Sequence, residues 1–129
     1  MIRGPRCRSA AVPGQWAVQA RVERFVEPAL LLLLREQPAH GYGIQERLPA
    51  FAGEAGLDLG NLYRILRGLE QEGIVASTWQ GELPGPLRRT YRLTEDGGRL
   101  LDRWAEALRA NQDVISRFLN RYDEIERSK

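Results

Sequence analysis

The stretch DLGNLYRILRGLEQEGIV, residues 58–75, limits the fold of this chain more than any other part of the sequence. Its leucines recur every three or four residues, which predicts a helix with one apolar face; they are Leu59, Leu62, Leu66 and Leu69. The opposite face is polar and carries Asn61, Arg64, Arg67 and Gln71. Asp58 is a suitable N-cap and Gly73 a suitable helix stop, and the apolar residues after Gly73 predict a strand. The rest of the chain must therefore bury the leucine face and leave the arginine-bearing face exposed.

Two helices are predicted before this one and a hairpin after it. Helix 1 begins near Glu27–Pro28 and ends before Pro38, and the consecutive leucines at 30–34 predict that it is buried on all sides. Helix 2 covers about 42–48 and is expected to end at Pro49. After the third helix, the segments VASTWQ and RRTYRLT predict two strands joined by a loop rich in proline and glycine.

Thr94 is a suitable N-cap for a last helix, which is expected to run to about Glu126 and to be on the order of 45–50 Å long. The order helix, helix, helix, hairpin is that of a winged helix-turn-helix. We therefore predict a mainly α-helical fold with a small β-hairpin wing and a long C-terminal helix. The predicted segments are a flexible Arg-rich arm at 1–24, a winged helix-turn-helix domain at 25–94 and a C-terminal dimerisation helix at 95–129.

The composition argues against several classes of chemistry. Cys7 and His40 are the only cysteine and histidine. Neither an intramolecular disulfide, nor a zinc site, nor a Ser-His-Asp or Cys-His catalytic group is therefore expected. The apolar run at 30–34 is far shorter than the roughly 20 residues that span a bilayer, and the basic N-terminus lacks the apolar run of a signal peptide. We expect a cytoplasmic protein that is not an enzyme and has no cofactor and no metal.

The exposed face of the third helix predicts a nucleic-acid interface. In a helix-turn-helix the second helix lies in the major groove, where arginine bonds guanine and asparagine bonds adenine bidentately. Arg88 and Arg89 alternate along a wing strand, so at least one of them is expected to contact DNA. The candidate DNA-binding residues are Tyr42, Gly60, Asn61, Tyr63, Arg64, Arg67, Arg88 and Arg89. A solvated surface is the alternative for the helix residues and core packing for the tyrosines; His40 and Trp79 are expected to be structural.

Apolar residues of the last helix follow a heptad-like spacing of three and four residues. They form a stripe of Leu101, Trp104, Leu108, Asn111, Ile115, Phe118, Tyr122 and Ile125. Asn111 is the one polar residue of the stripe, and a single buried asparagine can fix the register of such a seam. Packing on its own winged helix is the alternative, but the helix is too long for that alone, so a homodimer is predicted.

Three segments resemble the PadR-type transcriptional regulators, a family named for a repressor of phenolic acid decarboxylase: HGYGI, GNLYRILRGLEQEGIV and GPLRRTYRLTEDGGRLL. The matching residues are Gly60, Leu62, Tyr63, Leu66, Leu69, Glu70, Gly73, Tyr91, Leu93, Thr94 and Gly97. Asn61, Arg64 and Thr90 depart from the pattern, where the family often has threonine, proline and an aromatic residue. The resemblance runs from Glu27 to the C-terminus and implies a homodimeric repressor that leaves a pseudo-palindromic operator when a small molecule binds.

The resemblance also suggests where an effector binds. Some multidrug sensors of this family stack flat aromatic ligands between tryptophans of the last helix, at the dimer centre. Trp104 lies about one turn nearer the helix start than the tryptophan of those sensors, which preserves the face, with Leu101 and Leu108 as walls. Core packing is the alternative for its indole. The expected partners are double-stranded DNA, a second copy of the chain and a small planar aromatic effector, without a membrane. A winged-helix protein–protein interaction module that binds no DNA is the alternative function.

Overall fold

The computed structural model describes residues 8–12, 15–18, 25–52, 58–81, 85 and 88–129. Its elements, in chain order, are β1 (Arg8–Val12), β2 (Gln15–Val18), α1 (Val26–Glu36), β3 (Ala39–His40), α2 (Gly41–Ala52), α3 (Leu59–Gln71), β4 (Val75–Gln80), β5 (Arg88–Leu93) and α4 (Glu95–Arg127). Three helices, a hairpin and a long fourth helix confirm the predicted mainly helical fold with a wing.

α3 has the bounds and the cap that its sequence predicts. Asp58 precedes it in an extended conformation, and its carboxylate accepts a hydrogen bond from the backbone N–H of Asn61 at 2.8 Å. The leucine face is buried at Leu62, Leu66 and Leu69. Gly73 follows the helix with φ of 79°, a left-handed conformation that glycine adopts without strain. The turn at Gly73 sends the chain directly into β4, which begins with the buried Val75.

α1 is the central helix of the core, since it packs against α2, α4 and β5. Four of its five consecutive leucines are buried: Leu30, Leu31, Leu33 and Leu34. Leu32 is 45% exposed, so the expectation of burial on all sides is wrong at this position. Five successive residues cover more than one full turn of a helix, and the neighbouring elements leave the direction of Leu32 uncovered.

α2 continues beyond the residue that was expected to end it. The helix runs to Ala52 with Pro49 inside it, so the predicted end at Pro49 is wrong. Proline removes one hydrogen bond from the helix, which weakens it without forcing the chain to leave the helical path. Ile44 and Leu48 are buried on the N-terminal side of Pro49 and hold this part of the helix against the core.

β5 lies at the centre of a three-stranded antiparallel sheet, between β3 and β4. The predicted hairpin is confirmed, and its register pairs Ser77 with Tyr91 and Trp79 with Arg89. β3 has only two residues and pairs His40 with Thr90. A strand of two residues carries no alternating pattern, so the sequence did not predict it.

Part of the predicted flexible arm is folded. β1 and β2 pair as an antiparallel hairpin, and Trp16 and Val18 pack against the core beside α4. The interpretation of 1–24 as a flexible arm is therefore wrong for 8–12 and 15–18; the remainder of that segment lies outside the described residues. Alternation of Trp16 and Val18 with the exposed Gln15 and Ala17 is a strand pattern too short to stand out among the neighbouring prolines and glycines.

The first part of α4 packs on its own chain. The indole of Trp104 is 1% exposed, and its N–H donates to the carboxylate of Glu27 in α1 at 2.8 Å. The expectation that two Trp104 rings stack an effector between protomers is therefore wrong, because α1 and α4 enclose the ring within one chain. Leu101 and Leu108, the predicted walls, are partly exposed and border an apolar groove between α1 and α4.

Gly97 in the first turn of α4 lies close to Ile74, just before β4, and to Leu93 at the end of β5. A Cβ at this position would overlap the carbonyl oxygen of Ile74 and the side chain of Leu93. We expect Gly97→Ala to lower the free energy of unfolding by about 1–3 kcal/mol in urea titrations, although alanine favours helix. Gly98→Ala is the control, because a Cβ there meets only the mobile end of the Arg35 side chain. Equal stabilities of the two variants would contradict the close packing at Gly97.

Candidate nucleic-acid interface

The outer face of α3 is exposed, as its sequence predicts. Gly60, Asn61, Arg64 and Arg67 are all open to solvent, opposite the buried leucines. Within the described part of the chain, Arg64 and Arg67 have no hydrogen bond or ion pair. Asn61 differs, because its side-chain amide donates to the carboxylate of Asp58 at 2.9 Å. The two arginines are therefore available to an external partner, whereas Asn61 also contributes to the helix cap.

Tyr63 joins α3 to the start of α2. Its ring is half-buried, and a Cβ added to Gly41 would overlap the phenol hydroxyl and ring. Glycine at position 41 thus allows the two helices of the helix-turn-helix to lie this close. Tyr42, the next residue, is 61% exposed, so it is not a core residue. Of the two candidate tyrosines, Tyr63 combines packing with partial exposure, and Tyr42 is a surface residue.

A polar network connects α3 to the wing. Arg89 donates from Nε to the Ser77 hydroxyl at 2.7 Å, and that hydroxyl donates to a Glu70 carboxylate oxygen at 2.6 Å. The guanidinium of Arg89 lies 3.8 Å from the other carboxylate oxygen of Glu70 and 5.4 Å from the ring centroid of Trp79. The charge of Arg89 is therefore partly compensated within the protein, and the wing strands are held at a fixed distance from α3.

Trp79 is 63% exposed, so its expected role in packing is wrong. Its ring covers the guanidinium of Arg89, which lies directly across the hairpin. Arg88 pairs instead with Gln80, the next pair along the hairpin. Arg88 points its guanidinium toward the His40 ring, at 3.3 Å from Nε2.

Helices α2 and α3 and the wing enclose a cleft of about 590 Å³. Its lining brings together five of the predicted residues with five others: His40, Gly41, Tyr42, Tyr63, Arg67, Glu70, Trp79, Arg88, Arg89 and Tyr91. The lining contains three arginines and one carboxylate, so its net charge is +2 with neutral histidine. Gly60, Asn61 and Arg64 lie outside it, nearer the start of α3. A cationic cleft bordered by aromatic rings suits an anion that carries a flat or apolar group.

Tyr91 forms the buried base of this cleft. Burial raises the pKa of its phenol above the ordinary value, while the charge of Arg89 acts in the opposite direction. The phenol is therefore neutral at physiological pH and adds no negative charge to the cleft. The side chain of Tyr91, which is 5% exposed, extends the hydrophobic core into the wing.

Sequence reasoning missed the contributions of Glu70 and His40 to this cleft, and that of Ser77 to the polar network behind it. The signal for Ser77 was strand alternation, which places it on the same face as Val75 and Trp79. Glu70 and His40 both belong to segments that resemble PadR-type regulators, but their arginine partners on the wing, Arg89 and Arg88, are distant in the chain. Such pairings cannot be found from local spacing.

The part of the chain that the structure describes contains neither a candidate metal site nor a candidate membrane span. No group of three or more histidine, cysteine, aspartate or glutamate side chains there is arranged to hold a metal ion. In the same residues, no helix combines the length and apolarity that crossing a membrane requires.

Comparison with known proteins assigns the chain to a family. Residues 30–103 match the Transcriptional regulator PadR-like family. No curated protein sequence matches the chain. The fold is similar to that of a PadR family transcription regulator from Clostridium difficile R20291, with a TM-score of 0.65 and 23% identity over 74% of this chain and 98% of that one.

Two other solved structures are similar. A transcriptional regulator from Clostridium thermocellum has a TM-score of 0.64 and 26% identity over 75% of this chain and 92% of that one. Bacillus subtilis PadR, solved in complex with operator DNA, has a TM-score of 0.53 and 26% identity over 64% of this chain and 47% of that one. Since the family match covers more than half of the sequence, this chain belongs to the PadR-like family of transcriptional regulators.

Proposed function

We propose that this protein is a sequence-specific DNA-binding repressor that acts as a homodimer on a pseudo-palindromic operator. The observation that carries the proposal is the common surface formed by the exposed arginines of α3 and the cationic cleft beside the wing. The similarity to Bacillus subtilis PadR, which was solved with operator DNA, supports the same use of this surface.

In this proposal α3 lies in the major groove and the wing follows the adjacent backbone. Arg64 and Arg67 reach base edges, where a guanidinium makes two hydrogen bonds to guanine. Arg88 contacts phosphate, which contributes affinity and orientation but little sequence preference. Tyr42, Gly60, Asn61, Tyr63 and Arg89 support this surface at its edges, Arg89 mainly by holding the wing against Glu70 and Trp79.

The second half of α4 supplies the proposed dimer interface. Beyond Asn111 all side chains of the helix are exposed, including large apolar ones: Val114, Ile115, Phe118, Leu119, Tyr122 and Ile125. The stripe that is buried against α1 at Trp104 continues along this half, where no other described element of the same chain covers it. A second copy of α4 would cover it, which removes a large apolar surface from water.

The apolar groove between α1 and α4 is the proposed effector site. Its cavity of about 350 Å³ is bordered by Leu32, Leu101 and Leu108, with Trp104 at its floor. A small planar aromatic molecule fits a groove of this size and apolarity. Its presence beside the dimer helix would favour a different distance between the two α3 helices and so lower the affinity for DNA, provided that it binds one geometry more tightly.

The proposal is tested by a mobility-shift titration with DNA from upstream of the protein's own gene and with random DNA of equal length. We expect preferential binding of one upstream fragment and a steep loss of affinity with rising salt. Sedimentation equilibrium on the same samples should give a dimer both free and bound. Equal affinity for both DNAs would refute sequence-specific binding, and no binding of either would favour the protein–protein interaction module.

The two wing arginines are expected to respond differently to substitution. Arg88→Ala should weaken binding to specific and random DNA alike and lower the salt dependence by about one unit, because one phosphate contact is lost. Arg89→Ala should change the salt dependence less, since Glu70 already compensates that charge at 3.8 Å. Affinities measured at four or more salt concentrations test this. The same change of slope in both variants would contradict the distinct roles of Arg88 and Arg89.

A further inference from the structure

The single histidine of the chain has an N–H group directed at each of its ring nitrogens. The backbone N–H of Gly43 donates to Nδ1 of His40 at 3.2 Å. A guanidinium nitrogen of Arg88 lies 3.3 Å from Nε2 on the other side of the ring. A neutral imidazole carries one ring proton and has one acceptor nitrogen, so only one of these two contacts can be a hydrogen bond.

The contact with Gly43 is the hydrogen bond. The N–H of Gly43 belongs to the first turn of α2, where no backbone carbonyl of the helix is available to it. It is also partly buried, so the loss of this partner would leave a donor unsatisfied. Arg88 is exposed and its long side chain can turn to solvent at little cost. Nδ1 is therefore the acceptor, and the proton of His40 resides on Nε2.

With this tautomer, two donors face one another across the cleft. The Nε2–H of His40 and the guanidinium of Arg88 approach the same point, and each needs an acceptor there. Among the residues that the structure describes, Arg88 has no carboxylate partner. Glu70, the one carboxylate among the described residues that line the cleft, is occupied by Ser77 and Arg89. An oxygen atom with negative charge is the group that would satisfy both donors at once.

We propose that His40 and Arg88 together bind one phosphodiester of the DNA backbone, with His40 as a neutral donor and Arg88 as the cation. The proposal rests on the proposed function, because it is the shared surface with Arg67 and the wing that makes DNA the source of the phosphate. His40 is held in β3 by pairing with Thr90 and at the start of α2 by Gly43. It is thus a rigid donor that fixes the position of the phosphate relative to α2, while Arg88 adds charge from the wing.

The tautomer can be observed directly, since one histidine gives one pair of imidazole nitrogen signals. In protein labelled with ¹⁵N-histidine we expect the Nε2–H tautomer in the free protein. Addition of operator DNA should shift the Nε2 signal more than the Nδ1 signal. A proton on Nδ1 in the free protein, or unchanged signals in a saturated complex, would overturn the proposal.

Two substitutions separate the capping role of His40 from its proposed contact. His40→Asn keeps a short side-chain oxygen that can accept from Gly43 but does not extend to the position of Nε2. His40→Gln extends a donor amide to that position but lacks the short acceptor. We expect His40→Asn to retain the thermal stability of the natural protein and to lose about fivefold in affinity for operator and random DNA alike. His40→Gln should lose stability and retain most of the affinity at temperatures where it is folded.

Replacing the phosphodiesters of the operator one at a time by an uncharged linkage identifies the phosphate that His40 and Arg88 bind. Single methylphosphonate substitutions along the operator should reveal one position at which the natural protein and His40→Asn bind equally, because the contact is already absent there. The affinity of Arg88→Ala should likewise be insensitive to a methylphosphonate at the same position. If the difference between the natural protein and His40→Asn persists at every substituted position, His40 does not bind a phosphate.

The outcomes also distinguish this proposal from the proposed function. If the natural protein binds no DNA, both fail together. If it binds DNA and His40→Asn binds equally tightly, the phosphodiester contact alone is refuted. Inorganic phosphate, titrated at constant ionic strength without DNA, should leave the Nε2 signal nearly unchanged at micromolar concentrations. A saturable shift in that range would identify a site for free phosphate and would overturn the assignment to DNA.

Discussion

Replacement of Phe118 and Tyr122 by glutamate should convert the protein from a dimer to a monomer at micromolar concentration. These side chains are 68% and 53% exposed on the same stripe of α4, one turn apart. At the centre of a paired helix they would bury aromatic surface, and two carboxylates from each protomer would instead be brought together without counter-charges. Sedimentation equilibrium measures the change directly.

The loss of the dimer should carry over to DNA. A monomer binds one half-site without the effective concentration that the second recognition helix supplies, so the affinity for the complete operator should fall about 10²- to 10⁴-fold. The winged helix itself should remain folded, because the part of α4 that holds it, from Gly97 to Trp104, packs within the chain. Thermal unfolding should therefore report an intact core.

The matched control adds the same charge on the opposite face of the helix. Ser116 and Asn120 are exposed and lie away from the apolar stripe. Ser116→Glu with Asn120→Glu should leave both the dimer and operator binding unchanged apart from a small effect of net charge. If both double variants dissociate, or if the natural protein is a monomer, the seam along α4 is not the dimer interface.

The local sequence was sufficient to predict the elements that carry strong periodic signals. α3, β4, β5 and α4 begin and end close to the expected residues, because each has a cap, a glycine turn or a clear alternation. The resemblance to PadR-type regulators supported the prediction that these elements combine into one winged-helix fold. The outer face of α3 was predictable for the same reason, since a helix with three buried leucines must expose the residues opposite them.

The pairings between distant residues were not predictable from spacing. Trp104 fits a dimer seam by its position, and only the hydrogen bond to Glu27, 77 residues away, assigns its indole to the core of one chain. The apolar stripe of α4 therefore has two roles that its periodicity cannot distinguish. Its first half packs on α1, and its second half extends beyond the folded body. Likewise, the arginines of the wing look equivalent in sequence, but within the described part of the chain only Arg89 meets a carboxylate.

Base recognition should depend most on Arg64, which is exposed on α3 and differs from the residue that the family often has there. Arg64→Ala should cost about 1–3 kcal/mol of binding free energy on the true operator, because a bidentate contact to a base is lost. On random DNA the loss of binding free energy should be smaller, because only the positive charge of Arg64 contributes there. Selection of binding sites from a random pool should show relaxed preference at one base pair in each half-site.

Arg64→Lys separates recognition from charge. Lysine keeps the positive charge but cannot reproduce the planar two-donor fork of the guanidinium. This variant should therefore bind random DNA with nearly natural affinity and salt dependence while it loses most of the preference for the operator. Asn61→Ala is a less direct test, because the amide of Asn61 also bonds Asp58 at the start of α3 and its removal weakens the helix. If Arg64→Lys retains the full preference for the operator, Arg64 contacts phosphate, and sequence reading belongs to Arg67 or to the shape of the DNA.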